Sequence, residues 1–259
     1  MSKGKKGRYT VALLSVLYPL ITIALVFSIW AIVAAAVHKP LIIPSIGATF
    51  NGLGVLLSSG DFYAAAGFTL LRTLLGYIIS LALALIGAVC AALFSPVRKL
   101  LSPLIAISRA VPTMSVILLC LLWVSNNILP VAVCVVIICP LLYTNILGAI
   151  DGVDRRLVQM SRVYGVPMTR QITQMYIPLV LPDILTSVRS TLSLTLKLTI
   201  AGEVMSSTAI SIGQAMNMSN MYLDTDILFA WTIVAIVLSA LLEGGVALIA
   251  KLCARWRDA

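Results

Sequence analysis

Residues 151–182 read DGVDRRLVQMSRVYGVPMTRQITQMYIPLVLP, with two acids, four arginines and three prolines set between long apolar stretches. Val153, Leu157, Met160 and Tyr164 recur at helical spacing, while Asp154, Arg155, Arg156, Gln159 and Arg162 take the other positions. That pattern predicts a short amphipathic helix. Gly165 supplies a turn after it, and Pro167 suits the first position of a second helix, which is expected to end before Pro178. Two such helices lying across a membrane face present a compact knob to another protein. Their arginines equally suit a helix resting on anionic lipid, and periodicity alone supports both readings.

The flanking sequence places this island in a membrane protein. The chain of 259 residues is 61% hydrophobic and 10% charged, where a soluble domain carries about 25% charged residues. A helical span needs about 20 apolar residues. Spans are expected over residues 11–37, 63–94, 101–124, 128–150, 183–206 and 227–250, with an interfacial helix over 45–57. Arg109 and Pro112 interrupt the third span, where a proline kinks or breaks a helix. Residues 95–99 are expected as a basic turn, 125–127 as a tight turn, and 206–226 as a partly helical loop. The fold class is therefore all-α and polytopic, with about six spans. Residues 1–10 form a cytoplasmic tail, and 11–259 a single transmembrane domain that contains the 151–182 loop.

Charge orients the bundle. Thirteen basic residues fall on one predicted side: Lys3, Lys5, Lys6, Arg8, Arg98, Lys99, Arg155, Arg156, Arg162, Arg170, Lys251, Arg255 and Arg257. Only Lys39 falls on the other. The positive-inside rule puts the first group, with both termini and the 151–182 loop, in the cytoplasm. The net charge of +9 is thus topogenic, and nucleic acid is not implied as a partner.

Chemistry-bearing motifs are scarce. The five cysteines are odd in number and contain no CxxC, and His38 is the sole histidine, so neither a disulfide framework nor a metal site is indicated. There is no HExxH and no GxxxxGK[ST], which leaves any ATP hydrolysis to another polypeptide. The fifth span carries most of the intramembrane polarity. Ser187, Thr191, Thr195, Thr199 and Glu203 follow at intervals of four, beside a second stripe of Arg189, Ser193 and Lys197. Charges near a bilayer centre cost about 2.5–3.5 kcal/mol on insertion scales, so Lys197 and Glu203 are expected to face protein or water. Thr191, Thr195, Lys197, Thr199 and Glu203 are the candidate pathway residues. Helix–helix bonding is the competing role for the hydroxyls, and an interhelical bond for Glu203.

The island also resembles the cytoplasmic EAA loop in permease subunits of type I ABC importers, whose pattern is Glu-Ala-Ala, three residues, Gly, nine residues, then Ile-x-Leu-Pro. Gly165 and Pro178 match at the family spacing. Gln159, Met160 and Ser161 stand at the Glu-Ala-Ala positions, and Met175 and Ile177 at the Ile and Leu positions. Further similarity to the nitrate, sulfonate and taurine branch lies in Thr69 to Arg72 with Gly76, Pro103, Arg109 to Pro112, Leu122-Trp123, Pro140, Gly148, Pro178, Pro182, Glu203 and Leu242-Glu243.

The resemblance implies the MetI-like permease fold in a bacterial cell membrane. It implies a transport subunit that is not an enzyme and binds no cofactor, with ATP and Mg on two partner ABC ATPase subunits. A second permease copy, in an expected homodimer, and an extracytoplasmic solute-binding protein complete the implied assembly. The ATPase-coupling positions are then Leu157, Gln159, Met160, Ser161, Tyr164, Gly165, Val166, Pro167 and Pro178. A self-sufficient ion-coupled carrier is the alternative. It would call for midplane acids and repeated halves, and the membrane has few acids and no convincing repeat.

Overall fold

The computed structural model describes the backbone of residues 3–257, with side chains from Leu17 to Leu248, Ala250 and Lys251. All its regular structure is helical: α1 (Lys3–Val37), α2 (Ile46–Ser58), α3 (Gly60–Leu93), α4 (Ser95–Ala110), α5 (Thr113–Trp123), α6 (Leu129–Asp151), α7 (Arg155–Val163), α8 (Met168–Gln171), α9 (Ile177–Ser206), α10 (Ile212–Met221) and α11 (Thr225–Arg257). Stretches within α1, α3, α6 and α11, together with the run Met168–Ser206, are long and apolar enough to cross a membrane. A sixth candidate span is the pair α4 and α5, bent by 102°. The break falls at Val111 and Pro112, because Pro112 has no N–H to continue the ladder of α4.

The core is a three-helix contact of α3, α6 and α9. Ala84, Ala88 and Ala91 on α3 meet Ile138, Leu142 and Ile146 on α6, with Leu192 and Leu198 of α9 closing the cluster. Small residues let helix backbones approach closely. A second cluster joins Phe62 and Ala65 of α3 to Ile212 of α10 and to Trp231 and Val234 of α11. By contrast the Leu17–Val37 part of α1 is almost wholly exposed, and Trp30 joins it to the rest: its indole N–H donates to the Pro44 carbonyl at 3.1 Å and its ring lies 5.6 Å from Phe229.

Two expectations need correction. Residues 95–99 are the first turn of α4, with Pro96 at its start, where proline lacks only an N–H that would be unpaired anyway. The helix after Pro167 does not end before Pro178. It passes through a π-helical segment, Ile172–Tyr176, directly into α9. A proline ring clashes with the carbonyl four residues back, and the wider π turn just before Pro178 is the kind of local rearrangement that accommodates it.

Candidate functional site

Two polar regions lie at opposite ends of α9, whose 30 residues span about 45 Å at 1.5 Å each. The first is the 151–182 segment. Asp154 caps α7 by accepting from the Arg156 N–H at 2.8 Å. The helix ends in a Schellman arrangement: the Val166 N–H donates to the Ser161 carbonyl at 2.9 Å and the Gly165 N–H to the Arg162 carbonyl at 3.0 Å. Gly165 has φ +64, a left-handed conformation that side-chain-bearing residues resist. Gln171 then donates its amide to the Val166 carbonyl at 2.7 Å, which ties α8 back to the turn.

The two sides of α7 meet different surroundings. Arg155, Val158, Gln159 and Arg162 lie on one side of the helix and line a cavity against the ends of α3 and α6. The apolar side points away from the bundle, with Leu157 exposed at 42%, Met160 at 54%, Val163 at 85% and Tyr164 at 78%. Met168 and Ile172 extend this surface. A helix resting on lipid would turn its apolar face toward the bilayer, whereas this one turns its basic face toward the membrane bundle. Val166 and Ser161 are half-buried, and Gln159 and Pro167 are exposed. Pro178 is half-buried at the start of α9.

The second region is at the far end of α9. Glu203 is fully buried and saturated with donors. Thr69 Oγ1 lies 3.0 Å from both carboxylate oxygens, Arg72 Nη1 donates at 3.1 Å, and the Gly213 N–H donates at 3.2 Å from the first turn of α10. The carboxylate thus sits at a helix N-terminus, where negative charge is favoured. Thr69 in turn accepts from the Ile212 N–H at 3.0 Å. Arg72 also donates to the carbonyls of Ala209 and Ile210, both at 3.3 Å.

This network grips a loop with two residues in left-handed backbone, Ser207 at φ 48 and Ile210 at φ 47. Such a conformation is an outlier for β-branched isoleucine and persists where the surroundings over-determine it. Gly213 is required by packing, since a Cβ there would lie 2.4 Å from Glu203 Cβ and 2.7 Å from the Ile200 carbonyl. Thr69 was singled out only through the family resemblance, with no role attached to it. Arg72 and Glu203 did share one signal, a place near the same end of their spans.

Between these ends, α9 divides its polar residues by face. Thr191, Thr195 and Thr199 are buried and donate to the carbonyls four residues back at 2.6, 2.7 and 3.0 Å. Thr191 also meets Tyr77 at 3.1 Å, and Thr199 meets Cys134 Sγ at 3.2 Å. Ser193 pairs with Ser239 of α11 at 2.6 Å. The exposed side carries Thr186, Arg189, Ser190, Leu194 and Lys197. Neither Arg189 nor Lys197 is in an ion pair among the described residues. Of the five candidate pathway residues, Lys197 alone is exposed, and the other four are bonded inside the bundle. The hydroxyl row and the cationic row are therefore distinct surfaces.

Among known proteins, residues 84–254 match the family model described as binding-protein-dependent transport system inner membrane component. The Bacillus subtilis (strain 168) protein described as an aliphatic sulfonates transport permease, SsuC, is 24% identical over 240 residues, covering 91% of this chain and 86% of the relative. Two solved structures share the fold. A bacterial alginate ABC transporter, in complex with its alginate pentasaccharide-bound periplasmic protein, superposes with TM-score 0.59 at 16% identity over 98% of both chains. The inward-facing MetNI methionine ABC transporter gives TM-score 0.58 at 15% identity over 73% of this chain and 93% of that one.

Proposed function

Because this chain belongs to the family of inner membrane components of binding-protein-dependent transport systems, we propose that its 151–182 segment is the surface through which ATP hydrolysis drives it. The protein is the multi-pass inner-membrane permease of an ABC importer: it forms the translocation pathway, and ATP is hydrolysed on partner subunits. The outward apolar face of α7 is the observation that carries the coupling role. Leu157, Met160 and Tyr164 are the anchors, Gly165 and Val166 fix the turn, and Pro167 and Pro178 set the course of the chain into α9. Movement of α7 reaches the membrane directly, since α8, the π turn and α9 run on without a break.

The segment faces the cytoplasm together with both termini, in keeping with the charge asymmetry. The assembly is two copies of this chain over two ATPases, with a binding protein on the outer side. The exposed stripe of α9 faces the path between the copies, and Lys197 is its intramembrane cation. The solute is a small anion of the sulfonate type, a reading supported by the B. subtilis relative and by the exposed cations Arg189 and Lys197. A self-sufficient carrier is not required, because Glu203 is committed to Arg72 and a helix N-terminus.

The test is reconstitution of the permease with its ATPase and binding protein in proteoliposomes. A simple alkanesulfonate is expected to stimulate ATP hydrolysis and to accumulate inside. The same complex turning over equally with and without binding protein and solute would refute the reading.

A further inference from the structure

The side of α7 that turns toward the bundle has chemistry of its own. Arg155, Gln159 and Arg162 recur at intervals of four and three, so their side chains share one helix face. With Arg98, Asp151 and Tyr176 they line a cavity of about 480 Å³. Three guanidinium groups thus face one carboxylate. That carboxylate is already occupied, because Arg98 donates to both oxygens of Asp151, at 3.1 and 2.5 Å. Arg155 and Arg162 have no ion-pair partner among the described residues. Among the described residues, the cavity therefore holds two uncompensated positive charges.

Gln159 lies between the two free arginines along the helix, one turn from each. In the pattern that this loop resembles, a glutamate stands at this position and would put a carboxylate between them. Here an amide occupies the place, and no carboxylate among the described residues pairs with either arginine. Arginine's planar fork is suited to such a ligand, donating paired N–H bonds to phosphate or sulfonate oxygens. Leu93, Phe94 and Leu100, at the neighbouring ends of α3 and α4, are all exposed by more than half and offer a surface for acyl chains.

We propose that this cavity is a binding site for a phosphate-class oxyanion, which braces α7 against the bundle through Arg155 and Arg162. The source is either the headgroup of an anionic phospholipid, as basic pockets between helices take at membrane surfaces, or a soluble oxyanion. The inference rests on the coupling role of α7 only for the consequence of bracing. Binding is read without ATP turnover, so either claim can fail alone.

The experiment uses the complete complex with its ATPase subunits, purified in detergent. One arm counts phosphatidylglycerol against phosphatidylcholine retained in native mass spectrometry. The other titrates inorganic phosphate by calorimetry. In at least one arm, the double variant Arg155→Gln, Arg162→Gln is expected to weaken binding about tenfold or more, and Arg156→Gln, outside the cavity, less than twofold. Phosphatidylglycerol retention alone identifies the lipid source, and phosphate binding alone the soluble one. Gln159→Glu, which supplies an internal carboxylate, is expected to lower binding comparably and decides the matter if the double variant does not assemble. No anion binding to the wild type, or an equal loss in Arg156→Gln, would overturn the proposal.

Discussion

At one end of α9 the polar groups are consumed by the chain itself, and at the other they are left open. Glu203 is buried under donors from α3 and α10, and Glu203, Thr69 and Arg72 each bond the backbone of the 207–213 loop. The 151–182 segment satisfies its own turn but leaves its apolar face exposed and two arginines of the cavity without ion-pair partners among the described residues. Buried, saturated networks rigidify a structure. A surface that combines exposed aromatic and aliphatic side chains with uncompensated charge is finished by something else. The first end is thus built as a fixed point, and the second as a point of attachment.

Substitutions should separate the two ends by their effects. The largest loss is expected for Glu203→Ala, which strands Arg72 beside a buried void. Breaking a buried pair costs about 3–5 kcal/mol, read as a fall in thermal midpoint of the detergent-solubilised protein. Glu203→Gln, which keeps acceptor capacity, should cost less. A midpoint unchanged in Glu203→Ala would break the contrast from this side. Next comes Met160→Asp on the exposed face of α7. Its stability should stay within about 0.5 kcal/mol of wild type, while co-purification of the ATPase subunit drops about tenfold. Retained ATPase with lowered stability would reverse the assignment.

Lys197→Ala is expected to slow solute-stimulated ATP hydrolysis several-fold, with Lys197→Arg close to wild type. Equal rates in all three proteins would make Lys197 a packing residue. The smallest perturbation is a topology probe: cysteines placed at Gln159 and Asn217 should label from opposite sides of the membrane in a cysteine-free background. Labelling from one side would put the two regions on the same face.

Much of this architecture was legible because local chemistry dictated it. Ser45 caps α2 through the Ala48 N–H, Pro112 breaks the third span, and Gly165 sits where only a left-handed turn closes the helix. Pro178 misled, because the helix was expected to end before it, whereas a π turn carries it onward. The faces of α9 were illegible for a different reason. Its two stripes are both polar, and only packing against Tyr77 and Cys134 decides that the threonines go inward. The same holds for Thr69 with Glu203, which lie 134 residues apart, and for α7, whose apolar side points away from the bundle.

The attachment claim is tested most directly by Gly165→Val in the reconstituted importer, measuring ATP hydrolysis and transport together. Left-handed backbone costs a side-chain-bearing residue about 1–2 kcal/mol, enough to undo the turn between α7 and α8 while the bundle stays inserted. The account predicts that the variant reaches the membrane at wild-type levels and that transport per ATP hydrolysed falls about tenfold. Wild-type transport per ATP, with the substitution verified in the assembled complex, would contradict it.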